Sequence, residues 1–398
     1  MKGSQGAAST VVAERAGLSG AYGATVGMRV FGFLGAACMA LGNASAQDVW
    51  EQPPIEYSKA VSKDPAASIG RSLADGSLKL SATTPLERVK ELLGLLKIPV
   101  ESQVLVFSKT SKQNPLIDPG NPRALYFSEN AYAGYVPGGQ MEIIAHDPVL
   151  GPVFQVIDLG GPAEIPAMQR RTADCLSCHG TARTLDVPGV LVRSVFADAD
   201  GRPLLEFGSV DVNATTPLEQ RWGGYYVTGR SSLPHLGNRF FRSGEQPETP
   251  TGAVHLDQVG ERVDPTKYPR ATSDIVALLV LEHQCQVYNL MTTASYRYRR
   301  MQWMAKAFDP NADPDTGTAG KLADEDALKI VDALLYKDAA PLGDGVEGTR
   351  HSRPPLRNAS RSPARAIPWR TSISARSSSR TAAPTWSIRR SSSPCRRA

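Results

Sequence analysis

The chain has few residues that bind metals, with five cysteines and six histidines in 398 residues. Cys175 and Cys178 are the one pair of cysteines separated by two residues, and no second pair with this spacing occurs. A zinc site made of two such pairs therefore lacks half of its four ligands. The other cysteines do not replace them, because Cys38 and Cys395 lie near the ends of the chain and Cys285 stands alone.

The part of the chain that is expected to fold also lacks an excess of positive charge. Its net charge of +5 comes from residues 344–398, which hold twelve arginines against two acidic residues. Residues 47–343 hold 29 basic and 36 acidic side chains, a net charge of −7. Nucleic-acid binding needs concentrated positive charge, so nucleic acid is not an expected partner. No apolar run reaches the length that spans a bilayer, and no transmembrane segment is predicted.

A short apolar segment near the N-terminus is typical of a secretory signal peptide. In residues 28–46, Arg29 supplies the basic start, residues 30–41 the apolar stretch, and Ala44-Ser45-Ala46 the small-residue cleavage site. The pattern predicts export, with the periplasm as the expected location. We interpret residues 1–27 as an upstream extension that precedes the true start at Met28.

The C-terminal residues 344–398 have a composition unlike that of the rest of the chain. They are rich in arginine and serine, contain no lysine, and keep neither a strand period nor a helix period. Such a segment buries too little apolar surface to fold, so a disordered tail is predicted. The abrupt change favours a shift of reading frame over an arginine/serine nucleic-acid tail.

The pattern of apolar residues in residues 47–343 predicts a single α+β domain with a β-rich central region and helical flanks. Residues 47–80 are polar and loop-rich, and a helix follows at 84–98, with Thr84 as N-cap and Pro85 in the first turn. Further helices are predicted at 272–308 and 325–338, strands at 102–109, 123–129, 141–147 and 151–159, and a hairpin at 189–208 that turns at Asp200-Gly201.

The stretch "TADCLSCHGTA" at 172–182 contains the motif Cys175-x-x-Cys178-His179. A redox dithiol or half of a zinc site would also place two cysteines at this spacing. The motif with its adjacent histidine resembles the attachment sequence of the c-type cytochromes. That resemblance implies one haem c per chain, bonded to Cys175 and Cys178, with His179 as the proximal ligand of the iron.

The resemblance covers five residues and the export context. Small class I cytochromes c are all-helical and carry the motif near the mature N-terminus, whereas here it lies within predicted strands. The fold is therefore expected to differ from theirs. Arg170, Arg171 and Arg183 flank the motif, and they either pair with the haem propionates or lie in solvent.

The second axial position of the iron is open to several interpretations. His283 lies on an apolar helix, and His235 follows His179 by 56 residues. These two histidines are the main predicted distal ligands, while Met291 and an open position are the alternatives.

Two protein ligands on the iron predict an electron carrier, whereas an open second axial position predicts a haem enzyme or a gas sensor. The motif and the export signal favour a periplasmic haem protein that transfers single electrons to redox partner proteins. A peroxidase-like or small-substrate oxidoreductase and a gas-sensing haem module are the alternatives.

Overall fold

The computed structural model describes residues 48–160, 167–252, 254–313 and 317–349. These residues belong to one compact unit that begins at Asp48. The predicted extension at 1–27, the predicted signal peptide at 28–46, and residues 350–398 of the predicted tail lie outside the described residues, as do Cys38 and Cys395.

A seven-stranded antiparallel sheet forms the centre of this unit, with the strand order β6-β5-β4-β3-β2-β1-β9. Its strands are β1 (Val104–Val106), β2 (Arg123–Phe127), β3 (Ala131–Tyr135), β4 (Met141–Asp147), β5 (Gly151–Ile157), β6 (Gln169–Arg170) and β9 (Tyr225–Tyr226). Two small antiparallel sheets pair β7 (Val192–Val195) with β8 (Ser209–Val212) and β10 (Arg230–Ser231) with β11 (Val346–Glu347).

Five α-helices occur among the described residues. They are α1 (Pro65–Ala74), α2 (Pro85–Leu95), α3 (Ala173–His179), α4 (Ile275–Phe308) and α5 (Thr318–Leu334). Together with the central sheet they confirm the predicted α+β class with a β-rich centre, which differs from the all-α class I cytochrome fold. None of the helices in the described ranges is long and apolar enough to cross a membrane.

The helix boundaries follow local capping chemistry, and two predictions were wrong in detail. Helix α2 begins as predicted, because the Thr84 side chain accepts a hydrogen bond from the Glu87 N–H at 3.3 Å. Helix α4 begins at Ile275, three residues after the predicted start at 272, because its N-cap is Asp274, whose carboxylate accepts from the N–H of Val276 and Ala277. Helix α5 begins at Thr318, seven residues before the predicted start at 325.

The segment 47–80, which was predicted to be loop-rich, contains helix α1. Its N-cap is Asp64, whose carboxylate accepts from the Ala67 N–H at 2.8 Å, and Pro65 occupies the first turn. Ala66 and Leu73 are the buried residues of this short helix. Ala66, Ile69 and Leu73 recur at helical spacing and pack on the core, so the helix has an apolar face of only three residues that tertiary packing stabilises.

The predicted boundary of the tail at residue 344 lies too early. Val346 and Glu347 form β11, which pairs with Ser231 and Arg230 of β10. The Thr349 N–H donates to the Asp274 carboxylate at 2.7 Å. These backbone hydrogen bonds place residues 344–349 in the folded part of the chain.

The two faces of the central sheet have different surroundings. The covered face packs against α1 and α2, which bury its apolar side chains. These include Leu105, Ala124, Tyr126, Ala133, Tyr135, Met141, Ile143, Ala145 and Ile157. Side chains alternate along a strand, so the opposite face, called the motif face, includes Arg123, Leu125, Gly134, Glu142, Ile144, His146, Phe154 and Val156. Six of these eight residues are half-buried, and Gly134 and Phe154 are buried. The same face is also buried where Val104, Val106, Phe127 and Tyr132 join residues of α4 in one hydrophobic cluster.

Candidate functional site

The Cys-x-x-Cys-His motif forms the helix α3, with Leu176 as its buried residue. Positions three and four apart share one face of a helix, so Cys175, Cys178 and His179 lie on the same side of α3. Gly180 ends the helix against Trp50, because a Cβ at this position would lie 2.8 Å from a ring carbon of Trp50. The local fold therefore holds both thiols and the imidazole together.

His179 is held by the segment that follows the motif. Its Nδ1 lies 3.0 Å from the carbonyl oxygen of Gly189, and the Gly189 N–H donates to the His179 carbonyl at 2.8 Å. A carbonyl only accepts, so Nδ1 carries the proton and Nε2 keeps its lone pair in the neutral ring. No hydrogen-bond partner of Nε2 occurs within the described ranges. Burial lowers the pKa of His179, which favours this neutral form.

The motif packs on the motif face of the sheet through one aromatic contact. The rings of His179 and Phe154 lie 5.1 Å apart with an interplanar angle of 45°. Phe154 pairs across strands with Ile144, which contacts the hydrophobic clusters on both sides of it. Leu125, Ile144 and Val156 are half-buried apolar residues on this face. Of these three, Ile144 packs with Cys175 in one hydrophobic cluster, whereas Gly134 and Glu142 lie between Leu125 and Val156 in the sheet.

The two thiols of the motif are not paired with each other, and Cys285 is also a free cysteine. Burial raises the pKa of Cys175 to about 11, and the carboxylates of Glu142 and Asp174 act in the same direction. A redox dithiol needs a lowered thiol pKa to supply a thiolate at neutral pH. The surroundings of Cys175 therefore do not favour the dithiol interpretation.

The zinc interpretation also finds no support in the described part of the chain. Within those residues, no group of three or more histidine, cysteine, aspartate or glutamate side chains is arranged to hold a metal ion. Cys285 lies buried on α4 among residues of a hydrophobic cluster. Among the residues that the structure describes, the two cysteines of α3 and His179 therefore do not form part of a zinc site.

An ion pair crosses the motif face next to this site. The Arg123 guanidinium donates to the Glu142 carboxylate across the intervening strand β3. Gly134 makes this possible, because a Cβ there would lie 2.5 Å from Nη2 of Arg123. Both charges act on His179, and the Glu142 charge also acts on Cys175. The buried Nε of Arg123 has no hydrogen-bond partner.

A second arginine with the same property lies on β7. Arg193 donates through Nη2 to the Ser209 hydroxyl at 3.0 Å, while its buried Nε has no partner. Burial and the nearby Arg183 charge lower the pKa of Arg193, and the Asp211 and Cys178 charges oppose them. Arg123 and Arg193 thus supply two guanidinium groups whose charges interact with the motif, a chemistry that suits carboxylates.

The three arginines that flank the motif in sequence have other contacts. Arg170 donates to the carbonyls of Tyr57 at 2.6 Å and Ala60 at 2.7 Å, so it ties the N-terminal segment to the sheet. Arg183 pairs with Asp211 at 2.7 Å, and Arg171 bonds to Gln169 at 2.9 Å.

Arg123 and Arg193 were missed by the sequence analysis because they are distant along the chain. A glycine within a strand, here Gly134, was the available signal, since it marks a position where another group approaches the backbone closely.

The two histidines predicted as distal ligands contact other parts of the protein. His283 stacks on Tyr336 at 4.1 Å, and its Nε2 lies 3.0 Å from the Ala333 carbonyl. His235 is 2% exposed, and its ring lies 5.2 Å from that of Trp222. Burial lowers the pKa of His235 to about 4, with Arg239 and His255 adding to the effect. Neither imidazole has a contact with α3 among the described residues, and the distal assignment stays a prediction.

Met291, the alternative distal ligand, is 47% exposed on α4. His146 stacks on Tyr288 at 3.9 Å on the motif face, and its buried Nε2 has no hydrogen-bond partner. His146 therefore lies on the motif face, although the sequence pattern did not distinguish it from the other histidines.

No family model, curated protein or solved structure matches this chain. The function is therefore inferred from the residues of the site and their geometry.

Proposed function

We propose that this chain is an exported, periplasmic c-type haem protein that transfers single electrons through one haem. In this proposal Cys175 and Cys178 form thioether bonds to the haem, and His179 binds its iron. The observation that carries the proposal is the hydrogen bond from His179 Nδ1 to the Gly189 carbonyl. Histidines that bind metals commonly donate the other ring N–H in this way, which sets the tautomer and leaves Nε2 for the metal.

Two further observations test whether the residues suit a haem. Ile144 leaves part of its apolar surface uncovered beside Cys175, and a porphyrin ring is a flat apolar group that would cover it. The guanidinium groups of Arg123 and Arg193, whose charges interact with the motif, would hold its two carboxylates. The half-buried Ile144 side chain, the two guanidinium groups and the available Nε2 are a coherent set for this group.

When bound, haem c supplies an iron that is stable in the ferrous and the ferric state, so one electron enters or leaves at a time. The protein supplies orientation and electrostatics. His179 stays neutral because it is buried, and its hydrogen bond to Gly189 makes the Nε2 lone pair a stronger ligand for iron. The expected partners are redox proteins, and the net charge of −7 in residues 47–343 favours partners with basic surfaces.

A second candidate function is a haem enzyme or gas sensor with an open sixth position. Its supporting observation is that His283 and His235 make contacts elsewhere in the protein. Spectra separate the two candidates, because only an open position binds carbon monoxide or cyanide without displacing a protein ligand.

Co-expression with a haem-attachment system tests the proposal. The denatured chain should be heavier by about 0.6 kDa, the mass of one haem, and should stain for haem-linked peroxidase activity. Alanine at both Cys175 and Cys178 should abolish the added mass. Cys285→Ala is the matched control and should keep it. A wild-type chain of unmodified mass would refute the proposal.

A further inference from the structure

The carbonyl that holds His179 is itself held by a side chain of the long helix α4. Asn289 is 7% exposed and faces the segment after the motif. Its Nδ2 donates to the Val190 carbonyl at 2.8 Å, and its Oδ1 accepts from the Val190 N–H at 3.0 Å. One side-chain amide thus satisfies both backbone groups of the residue that follows Gly189.

The fit between α4 and this segment is close. A Cβ at Gly189 would lie 2.5 Å from the Oδ1 of Asn289 and 2.7 Å from the Cβ of Thr184. The Thr184 hydroxyl also donates to the Val187 carbonyl at 2.9 Å. The segment 187–190 is buried throughout. It is therefore held between α4 and the turn after the motif, with little freedom to rotate its peptide groups.

From this arrangement we infer that Asn289 is a positioning residue for the proximal iron ligand. It acts through Val190 and Gly189, and it fixes the direction of the carbonyl that accepts from His179 Nδ1. The inference rests on the proposed haem function and adds a residue that no sequence motif connects with the haem, 110 positions after His179 in the chain.

The expected consequence is a change in the redox equilibrium of the iron. A well-placed acceptor on Nδ1–H makes an imidazole more basic, and a more basic ligand stabilises the ferric state. Loss of the Asn289 amide frees the Gly189 carbonyl to turn away. The iron then becomes easier to reduce, without loss of the covalent attachment.

The experiment compares Asn289→Ala with wild type after haem attachment. At a fixed ambient potential, the ratio of reduced to oxidised haem should rise by roughly three- to tenfold in the variant. Gly189→Ala should shift the ratio in the same direction, because its Cβ collides with the Asn289 amide. Hydrogen exchange at the Val190 amide should become at least about tenfold faster in Asn289→Ala, since that N–H loses its acceptor.

Gln284→Ala is the matched control. Gln284 is also 7% exposed on α4, and its amide donates to the Ser128 carbonyl at 2.7 Å, away from the segment 187–190. It should destabilise the protein without shifting the redox ratio. An unchanged ratio in Asn289→Ala, or an equal shift in Gln284→Ala, would overturn the inference. Absence of covalent haem in wild type would instead overturn the proposed function, and the Val190 exchange rate would still decide whether Asn289 holds this segment.

Discussion

The two faces of the central sheet differ in how they are completed. The covered face meets α1 and α2, which bury its apolar side chains. The motif face is buried where it packs with α4, but Arg123, Glu142 and Ile144 stay half-buried near Cys175 and His179. Apolar surface that stays partly exposed is typical of an interaction site, whereas a covered face is typical of a core. The difference indicates that the first face supplies stability and that the half-buried part of the second is the place where a ligand would bind.

The largest expected effect compares two neighbouring residues of β4. Ile143 is 1% exposed on the covered face, and Ile144 is half-buried on the motif face. Ile143→Ala should lower the free energy of unfolding by about 2–5 kcal/mol, because it leaves a cavity. Ile144→Ala should cost only about 1 kcal/mol, since part of its surface is already in water. Urea denaturation of the haem-free protein measures both, and equal losses would remove the distinction between the faces.

The second prediction concerns the charged groups near the motif. In a Cys175→Ala/Cys178→Ala variant, haem can bind only without thioether bonds. Arg123→Gln or Arg193→Gln in that background should weaken haem binding by about 10- to 150-fold, since a hydrogen bond to a charged group is worth about 1.5–3 kcal/mol. Binding of the haem dimethyl ester should not change, because the ester lacks the carboxylates.

Absorbance titrations with both porphyrins measure these affinities. Arg171→Gln is the control, since Arg171 is exposed and bonds to Gln169. If Arg171→Gln weakened binding as much as the other two substitutions, the effect would be one of overall charge.

A smaller effect tests why the motif face contains a glycine. Gly134→Ala should lower stability by up to about 1 kcal/mol, because the new Cβ displaces the Arg123 guanidinium from Glu142. In an Arg123→Ala background the same substitution should raise stability by about 0.5–1 kcal/mol, since glycine within a strand is unfavourable. Thermal unfolding of the four proteins measures this reversal of sign. A loss of stability in both backgrounds would show that the backbone itself requires Gly134.

The last prediction concerns the dependence of stability on pH. Burial lowers the pKa of His146 on the motif face to about 4, below the ordinary value of 6.5. The folded state therefore binds this proton less readily than the unfolded state. The contribution of His146 to the free energy of unfolding is fully present above pH 6.5, and it declines as the pH falls towards 4. His146→Gln should make the decline shallower, which denaturation series at several pH values would measure. An unchanged decline would mean that the imidazole is solvated in the folded protein.

Local patterns were sufficient for several elements of the fold and failed for others. Strand β4 and the start of helix α2 occur where alternation and capping residues predicted them. Helix α1 was missed because its amphipathic pattern is short and interrupted by serine and glycine. The paired residues of β11 were assigned to the tail, since two residues carry no period of their own.

What the sequence by itself determined is the local chemistry. The spacing of Cys175, Cys178 and His179 is a property of five consecutive residues, and a helix of any fold would place them on one face. Only the tertiary structure placed the Gly189 carbonyl against His179 and the Asn289 amide against the next residue, Val190. It also placed Arg123 over Gly134, where it pairs with Glu142. These contacts join residues that are 10, 19 and 99 positions apart, and no short-range pattern encodes them, because they arise only when the strands, the segment after the motif and α4 are in place.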